Sequence, residues 1–353
     1  MTAAAYRVAL LGYGLSGSAF HAPLIVCVPG LALAAVVTTD PERAAGARRD
    51  HDRVAVLDSA AQVWRRAADF DVAVIATPNR SHVPLTLAAL DAGLAVVVDK
   101  PFAPSAAEGA QLIATAEAAG RLLTVYQNRR WDGDIRTLRE LLADGALGRV
   151  LRFESRFDRW RPTPKPGWRE SGSPTDAGGL LNDLGSHLVD QALHLFGSVT
   201  HVYAEVARQR PSVEVDDDVF LALTHASGVR SHLAASAMVA QAGPRLRVLG
   251  DRAAYVKDGV DVQEEALRAG RRPDEPDWGV EPPQRWGRLG VDDATMTVPT
   301  LPGAYQQFYV ELVSALRDGG PPPVDPAEAL AGLGVLDAAR QSASARSVVA
   351  LPQ

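Results

Sequence analysis

The first part of the chain alternates short apolar runs with longer stretches of mixed polarity. The runs are YRVALL (6–11), LALAAVVT (31–38), DVAVIA (71–76), LAVVVD (94–99) and RLLTVY (121–126). Nearly continuous apolar runs are typical of strands buried on both faces, because a strand with one wet face alternates apolar and polar residues. Helix-like stretches such as SHVPLTLAALDAG (81–93) lie between the runs. We therefore predict a doubly wound parallel sheet over residues 1–126.

After residue 126, apolar and polar residues alternate within the strand candidates. These are VLRFESRFDRW (150–160), HVYAEVARQR (201–210), DVFLALTHA (218–226), VRSHLAASAMV (229–239) and RLRVLGDRAAYVK (245–257). Half-buried strands joined by turns predict an open antiparallel sheet with one covered face. We also expect helices over 135–148, 304–318 and 325–345, and an ordered loop over 270–290. The predicted fold class is α/β, with a parallel-sheet domain at 1–126 and an α+β domain at 127–353.

The composition of the chain excludes several classes of partner and of binding site. The chain has 353 residues, a net charge of -6 and a pI of about 5.8. Nucleic acids and anionic membranes require a strong basic patch, so we expect neither as a partner. The single Cys27 excludes a disulfide framework and a cysteine-based metal site. The N-terminal segment has no charged region before its apolar run, which predicts no signal peptide and a cytoplasmic location.

A glycine-rich loop follows the first apolar run. Gly12, Gly14 and Gly17 form a G-x-G-x-x-G motif directly after a strand and at the start of a helix. The first glycine permits the tight turn, the second lets a pyrophosphate approach the backbone, and the third packs helix against strand. The helix N-terminus attracts the anion. We predict that this loop, with Leu15 and Ser16, binds a dinucleotide.

The end of the second strand bears on which dinucleotide binds. NAD-binding folds usually place an acid there to hold the ribose 2′-hydroxyl, whereas this chain has Thr38. The hydroxyls of Thr38 and Thr39 and the guanidinium of Arg43 can receive a 2′-phosphate, which a carboxylate would repel. These residues favour NADP, with NAD as the alternative. Two other interpretations stay open: Asp40 is itself the ribose ligand, or Arg43 is a solvated surface residue.

Two further strand ends carry polar residues where ligands of open α/β sheets bind. The candidates for cofactor contact are Thr77, Pro78, Asn79, His82 and Asp99. Lys100 follows the buried run at 94–99 directly. Its ammonium can hold a substrate oxygen and stabilise the charge that develops there. The alternative is an ordinary surface lysine at a strand end.

The stretch GGLLNDLGSHLVD (178–190) is apolar enough for a core helix, yet it contains an acid and an imidazole one turn apart. On a helix, Asp183 and His187 are at i and i+4, so their side chains share a face that Asp190 and His194 continue. A histidine beside an acid suits general acid–base catalysis near neutral pH. The alternatives are a buried structural histidine and a metal site. The sequence lacks H-E-x-x-H, so we predict no metal.

Three motifs together resemble the Gfo/Idh/MocA oxidoreductases: GYGLSGSAFHAP at the glycine loop, DKPF at the lysine, and GGLLNDLGSHLVDQALHLFG. The resemblance continues through YQNRRWDGD (126–134), RWRPTPKPGWRE (159–170) and LPGAY (301–305), over nearly the whole chain. It implies a Rossmann domain and a second domain with a large, mostly antiparallel sheet. It also implies a tail, from about 325 to 353, that packs on the first domain. The catalytic set that it implies is Lys100, Asp183 and His187.

The resemblance also implies a function. The family's usual E-K-P motif is D-K-P here, as in a branch that includes NADP-dependent scyllo-inositol dehydrogenases. In that branch Asn128, Trp168 and Arg169 would line the nicotinamide or substrate pocket. We therefore expect an NADP-dependent dehydrogenase that interconverts a polyol or sugar alcohol, such as scyllo-inositol, and its ketone. An imine or biliverdin-type reductase and a non-catalytic nucleotide-binding regulator are the alternatives.

Helices cover one face of an open sheet, and the other face is exposed to solvent unless a partner covers it. The alternation over 151–157, 219–225 and 229–239 predicts Val, Leu, Phe and Ala at many outward positions, more than a monomer should expose. A two-fold contact is the simplest closure of such a face. We expect a homodimer or a dimer of dimers.

Overall fold

The computed structural model describes residues 5–165, 167–170 and 172–352, which form two compact units. The first unit contains the chain up to Asn128, together with Gln263–Trp278 and Ala304–Ala329. The second unit contains Arg129–Val262, Gly279–Gly303 and the chain from Leu330 onward. Each unit is built on one sheet.

The strands, in chain order, are β1 (Tyr6–Leu11), β2 (Leu31–Val37), β3 (Ala55–Leu57), β4 (Val72–Ile75), β5 (Ala95–Asp99), β6 (Leu123–Tyr126), β7 (Val150–Asp158), β8 (Val199–Ala207), β9 (Asp218–His225), β10 (Arg230–Ser236), β11 (Leu246–Gly250), β12 (Ala254–Lys257), β13 (Gly287–Val291), β14 (Ala294–Val298) and β15 (Val349–Ala350). The α-helices are α1 (Ala22–Cys27), α2 (Pro41–Asp50), α3 (Ala60–Arg65), α4 (His82–Asp91), α5 (Ala106–Ala119), α6 (Gly133–Ala143), α7 (Ser186–Phe196), α8 (Gln263–Arg268), α9 (Gln306–Asp318) and α10 (Pro326–Ala345). Two π-helical segments, Ser16–His21 and Leu181–Gly185, lead directly into α1 and α7.

The sheet of the first unit has six parallel strands in the order β3-β2-β1-β4-β5-β6. Val8, Val74 and Val97 in its central strands are fully buried, as continuous apolar runs require. The strand order reverses between β1 and β4, which is where open α/β sheets bind ligands. The predicted doubly wound parallel sheet is confirmed, and its short strand β3 is the one that the sequence pattern did not reveal.

The sheet of the second unit has nine strands in the order β14-β13-β12-β11-β7-β10-β9-β8-β15. Its pairs are antiparallel except for β7 with β10, which is parallel. Phe153, Leu221 and Leu233 are buried on the inner face, and α7 packs against β7 and β10. The predicted large, mostly antiparallel sheet is confirmed. Part of the expected loop at 270–290 is instead strand β13.

The outer face of this sheet is more polar than the sequence predicts. In β7 the outward residues are Arg152, Glu154 and Arg156, while the phenylalanines of that strand are buried. The expectation of apolar outward positions therefore holds in β7 at Leu151, which is 44% exposed, and is wrong from Arg152 onward, where the pleat directs the rings to the core. In β9 the outward residues Phe220 and Ala222 are half-buried, so the face also has apolar residues on that strand.

The C-terminal tail also departs from the sequence-based expectation. Only residues up to Ala329 belong to the first unit, and the tail from Leu330 belongs to the second. Two contacts with the second unit account for this: β15 pairs with β8, and the main-chain N–H of Ala204 donates to the Ser342 hydroxyl at 2.9 Å. The segments that do return to the first unit carry α8 and α9.

Candidate active site

The glycine loop has the backbone geometry that its motif predicts. Gly12 has a φ of +96°, and a Cβ there would lie 2.6 Å from the carbonyl oxygen of Ala76, so only glycine fits. The N–H of Gly12 donates to the carbonyl of Val37 at 3.0 Å, which fixes the turn after β1. The loop then enters the π-helical segment Ser16–His21. Segments of this kind occur frequently at functional sites.

The end of β2 gives Asp40 a structural role. Its Oδ1 accepts the main-chain N–H groups of Glu42 and Arg43 at 3.0 and 3.1 Å and so caps α2. The guanidinium of Arg43 lies 3.5 Å from the same carboxylate, and its Nη1 is 3.7 Å from where a Cβ on Gly14 would lie. Arg43 is thus beside the glycine loop and half-exposed. Thr38, whose hydroxyl accepts the N–H of Asp40 at 3.3 Å, completes this corner.

His82 lies inside the first unit, and 1% of the residue is exposed. Its Nδ1 is 2.8 Å from the carbonyl oxygen of Pro101, and its Nε2 is 2.9 Å from that of Thr77. Burial lowers its pKa, against the opposing effects of Asp99 and the two carbonyls. The imidazole therefore connects the loop after β4 to the loop after β5, and its expected contact with the cofactor stays a prediction.

Asp99 directs its carboxylate into the protein. Its Oδ1 accepts the main-chain N–H of Lys100 at 2.8 Å, and its Oδ2 accepts the hydroxyl of Ser16. Although burial acts to raise its pKa, the nearby His21 and the Ser16 hydroxyl outweigh burial and hold the pKa well below its usual range. Lys100 itself is half-buried at the end of β5, where the sequence placed it.

The stretch that carries Asp183 and His187 is not one regular helix. Asp183 lies in the π-helical segment Leu181–Gly185, and His187 lies in the first turn of α7. The i, i+4 geometry of an α-helix therefore does not describe the pair. His187 is 5% exposed, whereas the Asp183 side chain is 25% exposed.

Arg169 contacts two other residues of this region, Asp183 and Trp168. The Nε of Arg169 is 3.5 Å from Oδ1 of Asp183, and the guanidinium lies 4.3 Å from the centre of the Trp168 ring. The N–H of Gly179 donates to the carbonyl of Arg169 at 3.0 Å, which joins the loop to the start of the helix. The structure therefore brings Asp183 to the neighbouring residues Trp168 and Arg169, from which it is separated in sequence.

Asp190 and His194, in contrast, belong to the packing of α7. Asp190 accepts two hydrogen bonds from buried Arg130, at 2.6 and 2.9 Å. Burial, with a contribution from Arg130, lowers the pKa of His194 to about 4. The ion pair with Arg130 gives Asp190 a structural role, and the expectation that Asp190 and His194 continue the Asp183–His187 face stays a prediction.

The predicted site residues divide between the two units. The first unit contains Gly12, Gly14, Leu15, Ser16, Gly17, Thr38, Thr39, Arg43, Thr77, Pro78, Asn79, His82, Asp99, Lys100 and Asn128. The second unit contains Trp168, Arg169, Asp183 and His187. Within each unit the predicted residues cluster at strand ends or at the start of one helix, as described above.

Comparison with known proteins decides the family. Residues 6–127 match the model described as "Oxidoreductase family, NAD-binding Rossmann fold", and residues 139–351 match "Oxidoreductase family, C-terminal alpha/beta domain". The chain belongs to the Gfo/Idh/MocA oxidoreductase family. It is 38% identical to the uncharacterized oxidoreductase YdgJ of Escherichia coli, over 98% of both chains. It is 34% identical to IolW of Bacillus subtilis, a scyllo-inositol 2-dehydrogenase (NADP(+)), over 98% of this chain and 96% of IolW.

A solved structure agrees with the family assignment. The yvaA protein of Bacillus subtilis superimposes with a TM-score of 0.92 at 33% identity, over 99% of both chains. This Gfo/Idh/MocA protein is therefore an NAD(P)-binding oxidoreductase with the predicted Rossmann fold.

Two residues that support the site of this Gfo/Idh/MocA chain escaped the sequence analysis. Asp216 accepts the N–H of Leu181 at 2.6 Å, at the start of the π-helical segment. Gly179 has a φ of +88°, and a Cβ there would lie 2.1 Å from Asp216, so the acid fits only against glycine. Arg210 donates to Glu170 at 2.8 Å and thereby holds the loop that carries Trp168. A run of three aspartates at 216–218 was the available signal.

In the part of the chain that the structure describes, no group of three or more His, Cys, Asp or Glu residues is arranged to hold a metal ion. None of the helices in that part combines the length and the apolar content of a membrane span.

Proposed function

We propose that this oxidoreductase is an NADP-dependent dehydrogenase that interconverts a secondary alcohol of a polyol or sugar and its ketone. The observation that carries the proposal is the junction of the π-helical segment with α7, where Asp183 lies in the segment, His187 lies in the first turn of α7, and Arg169 pairs with the acid. Such an arrangement serves a reaction that moves a proton together with a hydride. Because of the 34% identity to IolW, we propose scyllo-inositol and its 2-ketone as the substrate pair.

The residues of the chain divide the chemistry as follows. NADP, when bound, supplies the hydride acceptor. His187 takes the proton of the substrate hydroxyl, as a buried imidazole near neutral pH can. Lys100 holds the substrate oxygen and stabilises the negative charge that develops on it. Asp183, held by Arg169, orients the substrate or the imidazole ring.

The residues at the glycine loop fit a dinucleotide with a 2′-phosphate. Gly12 permits the tight turn after β1, and Arg43 lies beside Gly14 with half of its side chain exposed. Asp40 has one carboxylate oxygen committed to the cap of α2, which counts against its use as a ribose ligand. We therefore assign NADP binding to Arg43, Thr38 and Thr39.

We also propose a homo-oligomer that forms through the outer face of the nine-stranded sheet, as a dimer or a dimer of dimers. Phe220 and His232 are in ring contact on this face, with centroids 5.9 Å apart, and arginines such as Arg152 and Arg156 surround them. Aromatic and arginine side chains are enriched at protein interfaces. The lone thiol of Cys27 fits a reducing compartment, and we propose the cytoplasm.

The test is a screen of NADP⁺ reduction with inositols and aldoses, for the parent chain and for His187→Ala. We expect turnover with scyllo-inositol and a loss of roughly 10² to 10⁴-fold in kcat for the variant. Alcohol oxidation by the parent should be faster at higher pH, because a general base must be unprotonated to accept a proton, and His187→Ala should flatten that pH dependence. Binding of NADPH without turnover of any polyol or sugar would contradict the proposal.

A further inference from the structure

The first unit contains a buried polar cluster to which the proposed reaction gives no role. It consists of Asp99 at the end of β5, His21 in the π-helical segment and Tyr309 in α9. His21 and Tyr309 are both 0% exposed. Buried polar groups are costly unless they are paired, so a cluster of three at one place indicates a purpose.

One end of the cluster is the Asp99 carboxylate, which joins two parts of the predicted site. Its Oδ1 accepts the main-chain N–H of Lys100, and its Oδ2 accepts the hydroxyl of Ser16 in the glycine loop. Hydrogen bonds to an ionised acceptor are roughly twice as strong as neutral ones. A single side chain therefore links the backbone of the lysine to the loop expected to hold the cofactor.

At the other end of the cluster, the contacts of His21 bear on which of its ring nitrogens carries the hydrogen. The Tyr309 hydroxyl is 2.6 Å from Nδ1 of His21, and Nε2 of His21 is 3.7 Å from Oδ2 of Asp99. Burial, and then Asp99, raise the pKa of Tyr309 well above its ordinary value, so the hydroxyl keeps its proton. The carboxylate of Asp99 favours an N–H on Nε2, and with that tautomer Nδ1 accepts from the Tyr309 hydroxyl.

Aromatic packing prevents His21 from leaving this position. The ring of Tyr126 lies 4.2 Å from that of His21, centre to centre, and Tyr309 contacts it edge-on at 6.3 Å. Phe308 packs against both tyrosines. The charged and titratable groups that face the carboxylate are His21, His82, Lys100 and Tyr309, and each comes from a different segment of the first unit.

We infer that His21 and Tyr309 are positioning residues that act through Asp99 to hold Lys100 and the glycine loop in one fixed arrangement. The inference rests on the proposed function, because it takes Lys100 as the residue that holds the substrate oxygen. Misplacement of a reacting group by about 1 Å can cost about 10²-fold in rate. Loss of the cluster should therefore lower kcat more than it changes KM.

A matched pair of variants isolates the effect. Tyr309→Phe removes the hydroxyl that donates to His21, and Tyr126→Phe removes the neighbouring hydroxyl, which donates to the carbonyl of Phe20 at 3.2 Å. Each change deletes one hydroxyl oxygen from a tyrosine, and the two tyrosines belong to the same cluster of aromatic rings. We expect Tyr309→Phe to lower kcat by about 10-fold with little change in KM, and Tyr126→Phe to keep the parent values.

A second readout needs no turnover. The chain has three lysines, Lys100, Lys165 and Lys257, so reductive ¹³C-methylation followed by NMR gives few side-chain signals. A Lys→Arg variant at each position assigns them. We expect the Lys100 signal to shift or broaden in Tyr309→Phe and to stay in place in Tyr126→Phe. A third variant, Asp99→Asn, should move the same signal and weaken NADPH binding, because it releases Ser16.

The outcomes separate cleanly. Equal effects of the two tyrosine variants on kcat and on the Lys100 signal would overturn the inference, since general packing would then explain both. An unmoved Lys100 signal and unchanged NADPH affinity in Asp99→Asn would overturn it as well. A parent chain that oxidises no polyol refutes the proposed function alone, because the NMR signal and the NADPH affinity still test the cluster.

Discussion

Lysine is rare in this chain, and its positions are informative. Of the 36 lysines and arginines, three are lysines. Lys257 is fully buried and pairs with Glu281 at 3.0 Å, whereas Lys165 is exposed. A chain that uses arginine for most of its cations keeps an amine at Lys100, and an amine is a compact charge that fits one oxygen where a guanidinium forms a planar fork.

We therefore expect Lys100→Arg to be nearly as damaging as Lys100→Ala. Both should lose about 10² to 10³-fold in kcat, by analogy with the loss of one oxyanion donor. The matched control is Lys165→Arg, in an exposed loop, which should keep the parent rate. Steady-state kinetics with the best polyol makes the comparison. If Lys100→Arg retained most of the activity, any cation would serve, and the amine itself would have no special role.

Arg43 carries the prediction on cofactor choice. Its replacement by alanine removes the cation beside Gly14 and should raise the KM for NADP⁺ by about 10-fold or more, with little effect on NAD⁺. The control is Arg48→Ala, on the same helix α2 and without a role at the loop. Initial rates with both cofactors give the result. Equal losses with NADP⁺ and NAD⁺ would contradict the assignment.

At the scale of the element, the start of the Asp183 helix depends on Asp216. Asp216→Asn keeps the shape of the side chain but removes its charge from a helix N-terminus, where anions stabilise by about 0.3–1 kcal/mol. We expect a small loss of stability together with a clear fall in kcat, because Asp183 lies in the segment whose first N–H Asp216 accepts. Asp218→Asn, two residues along, is the control. A loss of stability with unchanged kcat would limit Asp216 to a structural role.

α7 also carries a pH-dependent contribution to stability. The pKa of His194 is lowered to about 4 in the folded protein, against 6.5 for an ordinary histidine. As the pH falls, the unfolded chain therefore binds a proton at this histidine before the folded protein does. The contribution of His194 to the free energy of unfolding is present above about pH 6.5 and is lost towards pH 4. At about pH 5 the loss should be about 2 kcal/mol relative to about pH 7.5.

Chemical denaturation of the parent chain and of His194→Gln at both pH values measures this contribution. Glutamine does not titrate, so the variant should lose about 2 kcal/mol less than the parent between the two conditions. Identical pH dependence in the two proteins would show that His194 does not contribute.

Sequence patterns predicted the elements better than the contacts between them. Continuous apolar runs such as DVAVIA identified the parallel strands, because a strand that is buried on both faces is apolar at nearly every position. The π-helical turn at Leu181–Gly185 was not predictable, since it depends on Asp216, which lies 35 residues away. The Lys100 and glycine-loop positions followed from strand ends, whereas the ion pair of Asp190 with Arg130 required tertiary structure.

At the scale of the whole molecule, the outer face of the nine-stranded sheet yields the prediction on assembly. Light scattering at micromolar concentration should give a dimer or tetramer mass for the parent chain. Phe220→Glu places a charge among the apolar residues of that face and should reduce the mass towards that of a monomer. The control is Val260→Glu, because Val260 is already 47% exposed. A monomer mass for the parent chain would exclude this interface.

The order of segments in the first unit has a consequence for synthesis. Tyr309 reaches His21 across 288 residues of sequence, and Thr124 donates to the carbonyl of Val324 across 200. Translation proceeds at roughly 5–20 residues per second, so the nascent Rossmann sheet waits many seconds for α9 to leave the ribosome. During that interval the amino-terminal segment has neither α9 nor the tyrosine hydroxyl that contacts His21. A ribosome stalled after Asn128 should therefore display a loosely ordered, protease-sensitive chain, and nucleotide affinity should emerge late in elongation.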